Sequence, residues 1–125
     1  MPVDLTNVDL DLTLLQEIAD GSDEFIVESI DMFLQQTPPS LQDISNAFDE
    51  MDWATAAAAA HKMIATLGFF GMLNSQALVQ QIELSCKTDP PDVMALIANF
   101  DQVQALIAAS TVALLQIKEE TAAKL

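Results

Sequence analysis

Leu41, Ile44, Phe48 and Met51 recur at intervals of three, four and three residues. That spacing stacks four apolar side chains on one face of an α-helix; on a strand, where the faces alternate at every residue, they would scatter. The same pattern extends in both directions. Leu10, Leu14, Leu15 and Ile18 form one face of a first helix over about residues 8–19, closed near Asp20-Gly21. Ser22 is the expected N-cap of a second helix, with Asp23 and Glu24 suited to its positive end and Ile26, Ile30, Phe33 and Leu34 as its apolar residues. This helix is expected to stop before Pro38, because a residue preceding proline is pushed out of the α region. Pro38 and Pro39 then suit the start of the helix that carries Leu41 to Met51.

Asp52 is the expected N-cap of a fourth helix, which runs from Trp53 through the alanines to about Leu67 and is broken by Gly68-Phe69-Phe70-Gly71. A fifth covers about residues 72–86. Asp89-Pro90-Pro91-Asp92 supplies a cap and first turn for a final helix reaching about Lys118. Six helical segments with short connections make the fold class all-α: an antiparallel up-and-down four-helix bundle over about 23–118, with additional short N-terminal helices. There is no repeat or low-complexity linker, so 1–125 reads as a single domain.

Composition narrows the function classes. Three glycines and no tyrosine favour helices over a sheet. Nineteen acids against four basic residues give a net charge of −15, which repels nucleic acid and anionic membrane alike. The partner is therefore expected to be a protein or a small ligand, although solubility alone is the plainer reason for many of the carboxylates. The single cysteine, Cys86, cannot form an internal disulfide and fits a reducing compartment. Met1-Pro2-Val3-Asp4 has no basic segment leading into an apolar run, and no stretch of 18 apolar residues occurs. The expectation is a soluble, cytoplasmic monomer.

Most catalytic arrangements lack their residues. One histidine and one cysteine do not make a zinc site, and neither a calcium-loop spacing nor a Gly-rich phosphate cradle is present. No bound cofactor or metal is expected. What remains is His61. On an ideal helix Trp53, Ala56, Ala60, Met63 and Leu67 lie about 80–160° from it and form the core face. Around His61 lie Ala54, Ala57, Ala58, Ala65 and Gly68, so the imidazole projects from a patch with nothing tall beside it. Between Trp53 and Ile82 there is no Asp or Glu, where an even spread would place about four or five; Lys62 is the only formal charge. A phosphoryl group brings roughly −2 charge, and such a surface would not oppose it. Each feature also has a bland explanation: a structural histidine, a close helix contact, a buried central helix.

The segment Ala60-His61-Lys62-Met63-Ile64-Ala65-Thr66-Leu67-Gly68-Phe69-Phe70-Gly71 resembles the signature of histidine phosphotransfer domains. Met63 occupies the family's apolar place two after the histidine, and Gly71 its glycine at ten. The upstream run from Leu14 to Leu41, and Ala47-Phe48-Asp49-Glu50-Met51-Asp52-Trp53, look like the helices that precede the histidine in that family. The resemblance implies phosphorylation of His61 on Nε2 by the phosphoaspartate of a receiver domain, which also supplies the Mg²⁺. It implies no kinase activity in this chain. The partners implied are receiver domains of a hybrid sensor kinase or a response regulator. The attacking group is neutral imidazole, which predominates at pH 7 for a reference pKa of about 6.5.

Two positions depart from the family pattern. The usual lysine three after the histidine is Ile64, and the usual glycine at four is Ala65. Lys62 is a partial substitute but points about 100° away. Twenty-two positions after the histidine, where family members carry a Gln or Glu against the imidazole, this chain has Glu83. An ungapped alignment would let Glu83 accept from Nδ1–H; a solvated helix carboxylate is the alternative. Docking is expected on Ala57, Ala58, Ile64, Ala65, Gly68 and Phe69. The leading expectation is a phosphorelay intermediate that shuttles a phosphoryl group between receiver aspartates. A non-catalytic receiver-docking adaptor that keeps the bundle is the alternative. A carrier protein with a prosthetic arm lacks the attachment serine it would need.

Overall fold

A computed structural model describes residues 8–125. Within it the chain forms five helices: α1 (Thr13–Ala19), α2 (Asp23–Asp49), α3 (Trp53–Phe69), α4 (Leu73–Cys86) and α5 (Val93–Ala122). Short turns separate α2 from α3 and α3 from α4, so successive helices run antiparallel. Helix α2 packs on α3, α3 on α4, α4 on α5 and α5 back on α2, which closes the four-helix bundle; α1 rests against α2. The core that results includes Ile30, Phe33 and Ile44 of α2, Met63 and Leu67 of α3, Val79 and Ile82 of α4, and Leu96, Val103 and Leu114 of α5. Two aromatic groups fasten the ends. Phe48 meets Trp53 and Phe100 at ring separations of 5.6 and 5.3 Å, and Phe33 meets Phe70 at 5.1 Å.

The side-chain caps expected for α2 and α3 form: Ser22 accepts from Phe25 N–H and Asp52 from Thr55 N–H; in the Asp89–Asp92 run it is the last residue, Asp92, that caps α5, accepting from Ala95 N–H. Three expectations are corrected. The first concerns the prolines. Pro38 and Pro39 do not start a helix; they lie inside α2, which replaces the two segments expected there. Neither can donate to the carbonyl four residues back, so those of Leu34 and Gln35 lose their helical partners. Burial overrides that cost, because Ile30, Phe33, Thr37, Ile44 and Ala47 form one buried stripe across the prolines. Breaking the helix would turn half of it away from the core.

The second correction is at the N-terminus. Val8 to Leu12 is not helical, a single short helix precedes α2 among the described residues, and its buried residues are Leu15 and Ala19. Leu14 and Ile18, expected on the core face, are about half exposed, while Leu12 takes an inner position beside Leu10. Asp11 holds the turn just before the helix: its carboxylate accepts from both the N–H and the hydroxyl of Thr13, the first helical residue. Third, α5 runs to Ala122 rather than stopping near Lys118. By length and composition alone α5 could cross a membrane, although Asp101, Gln102 and Gln104 interrupt its apolar residues. In the bundle its Leu96, Phe100, Val103, Ile107 and Leu114 line the core. Residues 1–7, including the Met1–Asp4 segment read above, lie outside the described residues.

The segment before α1 organises α4. Helix α4 has no side-chain cap of its own. Asp9 supplies one from far away in sequence: its carboxylate accepts from the N–H groups of Asn74 and Ser75, at 3.0 and 2.7 Å, and from the Ser75 hydroxyl at 2.6 Å. The Asp9 carbonyl in turn accepts from the buried Ser110 hydroxyl of α5 at 2.7 Å. Gly71 lets this strap pass. It has φ +65°, and a Cβ there would collide with the main chain of Asp11, whose N–H donates to Phe70 O.

Candidate functional site

His61 sits in the middle of α3 with 71% of its side chain exposed. The alanine-rich sequence explains how a helix can present it so: Ala56, Ala57 and Ala60 are buried, and their small side chains let the neighbouring helices come close. Across from it on α4 stands Glu83, whose side chain is only 14% exposed. Its carboxylate lies 3.0 Å (Oε2) and 3.2 Å (Oε1) from His61 Nδ1. Lys87, the C-cap residue just past α4, donates to the same Oε2 at 3.1 Å. Hydrogen bonds from Lys87 first and His61 second hold the Glu83 carboxyl below the usual carboxylate range, and partial burial opposes them. At neutral pH Glu83 is therefore an anion that only accepts. The proton between it and the ring then belongs to Nδ1, and Nε2 carries the lone pair, facing solvent.

The surroundings of His61 are asymmetric, which the helical wheel did not show. Ala57 is 4% exposed and is core, so it is no docking residue: α4 closes over that side. Ile64 and Gly68 are half-covered on the same flank. The Gln76 side chain donates to Ile64 O at 3.1 Å, and its Nε2 sits where a Cβ on Gly68 would stand. On the other flank Ala58, Lys62 and Ala65 are exposed and Phe69 is half-buried. There α2 and α3 leave several clefts; a small one beside Ala58, about 250 Å³, is bordered by Asp43, Glu50 and Lys62. Another, of about 410 Å³, is bordered by Gln35, Gln36, Pro39, Lys62 and Thr66. The next, of about 380 Å³, is bordered by Phe25, Met32, Gln36, Ala65 and Phe69. Among the described residues no three His, Cys, Asp or Glu side chains converge as a metal site.

An exposed imidazole held at Nδ1 by a carboxylate, beside small residues, has the geometry that a nucleophile needs if a partner is to reach it. The family profile described as Hpt domain matches residues 28–118. The chain belongs to the Hpt domain family. Its role is accordingly phosphotransfer in two-component signalling, and receiver domains are the interaction partners of such Hpt domains. Its fold is also that of a crystal structure described as the HPT domain of an Hpt sensor hybrid histidine kinase from Shewanella. The TM-score is 0.62 at 22% identity, over 94% of this chain and 93% of that one. No curated protein matches the chain.

Sequence reasoning paired His61 with Glu83 and missed Lys87, although its position four residues after Glu83 is an ion-pair spacing. It also missed Met32, Gln35 and Gln36, because an α2 broken at Pro38 gives no register against α3.

Proposed function

We propose that this Hpt domain is a phosphorelay intermediate that carries a phosphoryl group between receiver-domain aspartates on His61 Nε2. The observation that carries the reading is the Glu83 carboxylate 3.0 Å from Nδ1 of a 71% exposed imidazole. Because Nδ1 holds the ring proton, the Nε2 lone pair attacks phosphorus in line. The N–P bond forms as the P–O bond of the partner's aspartyl phosphate breaks, and the aspartate leaves as a carboxylate. The positive charge that develops on the ring is met by Glu83 through Nδ1–H. Mg²⁺ and the remaining charge stabilisation come from the receiver, so this chain needs no cofactor and has no kinase activity of its own. Reversal of the same step passes the group to a second receiver.

Docking on this reading uses the open flank, Ala58, Lys62, Ala65 and Phe69, with Met32 and Gln36 of α2. The unit 1–125 acts as a cytoplasmic monomer. Incubation with a phosphorylated receiver and Mg²⁺ tests it. The wild-type chain should acquire acid-labile phosphate and the His61→Gln variant none, with its helical content unchanged because the side chain is exposed. Labelling of His61→Gln at the wild-type rate would sink the proposal. One observation favours a second reading, a receiver-docking adaptor that transfers poorly. Ile64 is packed against the core and supplies no charge beside His61. That reading requires receiver binding indifferent to His61→Ala and no transfer from any donor.

A further inference from the structure

Lys87 stands apart from the other charged groups near His61. Lys62 is adjacent in sequence but about 100° round α3. Ile64, where the family's lysine would fall, is half-buried against the core and carries no charge. The cation that does reach the site comes from the end of α4, and it reaches it through Glu83. Both Lys87 Nζ and His61 Nδ1 lie on Glu83 Oε2, at 3.1 and 3.0 Å. The shared carboxylate is mostly covered, whereas Lys87 and His61 are 62% and 71% exposed.

An exposed lysine paired with an exposed acid contributes almost nothing to stability. The case here differs because of what the carboxylate also holds. The terminal torsion of a glutamate is broad, so one hydrogen bond to an imidazole leaves the carboxylate free to turn. A second donor, four residues on at the C-cap of the same helix, restricts that freedom. We infer that Lys87 is a positioning residue for His61: by holding Glu83 Oε2 it keeps the carboxylate on Nδ1–H and so keeps the lone pair on Nε2. Its consequence for transfer rests on the phosphorelay reading; its consequence for the resting imidazole does not.

His61 is the only histidine in the chain, so its ring nitrogens give isolated signals in a ¹⁵N-labelled sample. Long-range ¹H–¹⁵N spectra of the unphosphorylated protein should show the Nδ1–H tautomer. In Lys87→Met the population should move toward Nε2–H, and Lys87→Arg should restore it. With a phosphorylated receiver and Mg²⁺, Lys87→Met should transfer about fivefold more slowly with unchanged receiver affinity, the scale of one supporting hydrogen bond. Lys87 makes no core contact, so the variant should fold as the wild type does. A wild-type tautomer ratio in Lys87→Met overturns the inference. A shifted tautomer in Lys87→Met, in a chain whose wild type accepts no phosphoryl group, upholds the positioning role and overturns the phosphorelay reading instead.

Discussion

The two flanks of His61 are built from the same alanine-rich helix and do opposite things. Toward α4 the surface is closed and hydrogen-bonded: Ala57 is buried, Gln76 holds Ile64 O, and Glu83 and Lys87 hold the ring. Toward α2 it is open, with Ala58 exposed beside a cleft of about 250 Å³ and Ala65 beside one of about 380 Å³. A phosphotransfer histidine has two requirements that conflict if met on one side. Its ring must be held in a single tautomer, which takes fixed partners, and another protein's active site must close over it, which takes empty space. Dividing the flanks satisfies both.

The strongest way to break that comparison is to fill the open side. Ala65→Trp puts a large ring, outside the core, on the flank where we propose that the receiver docks. Transfer from a phosphorylated receiver should fall by at least about tenfold, through weaker docking. The melting temperature should stay within a degree or two of wild type, as for most surface substitutions. Calorimetric titration of receiver binding, with transfer kinetics on the same samples, separates docking from chemistry. An Ala65→Trp chain that binds and transfers normally would show that the receiver approaches over α4, and the assignment of the flanks would be reversed.

This asymmetry also marks the limit of what the sequence reveals. Ala57 and Ala58 stand about 40° and 60° from His61 on a helical wheel, on opposite sides, and nothing in one helix's pattern says which side a neighbour covers. Pairing across helices decides it. The match of Glu83 to His61 was legible because a known spacing linked them; the covering of Ala57 follows from the same packing but has no spacing of its own. The caps Ser22 and Asp52 were legible because a cap is a local hydrogen bond three residues long, whereas the Asp89–Asp92 run announced a cap without saying which of its two acids serves. Pro38 failed as a boundary because the rule for proline is also local. The continuous stripe from Ile30 to Ala47 carries more burial than two lost backbone bonds cost. Asp9 left no trace at all, since its partners on α4 lie 65 and 66 residues away.

Asp9 offers the next test, directed at why the α4 flank is rigid. Asp9→Ala removes the cap of α4 and leaves the fully buried Ser75 hydroxyl without its acceptor. A lost cap costs about 1 kcal/mol and a stranded buried hydroxyl about 1–3. A loss of about 2–3 kcal/mol in urea unfolding is expected, against about 1 kcal/mol for Asp52→Ala at the head of α3. The Ser110 hydroxyl keeps its partner, which is the Asp9 main chain. Equal losses in the two variants would mean that α4 is held by packing alone and that the strap is incidental to the closed flank.

The smallest effect expected is acid sensitivity, and it distinguishes the site's carboxylate from those that only hold helix starts. Glu83 is held below the usual carboxylate range by Lys87 and then His61, while Thr55 does the same for Asp52 and Thr13 for Asp11. A carboxyl whose folded value is depressed binds its proton more readily in the unfolded chain. Its stabilisation is therefore complete above the unfolded value, about 3.9 for Asp and 4.3 for Glu, and is lost as pH falls through the lower folded value. Urea unfolding followed from pH 7 down to about 3 should show stability declining only at the acid end. Asp52→Asn and Glu83→Gln should each flatten that limb slightly. Only Glu83→Gln should also disturb the His61 tautomer at neutral pH, because an amide rotates to offer either a donor or an acceptor where the carboxylate offers acceptors alone. If Asp52→Asn shifts the tautomer as much, the wiring of the closed flank extends through α3 itself and is not confined to the Lys87–Glu83 pair.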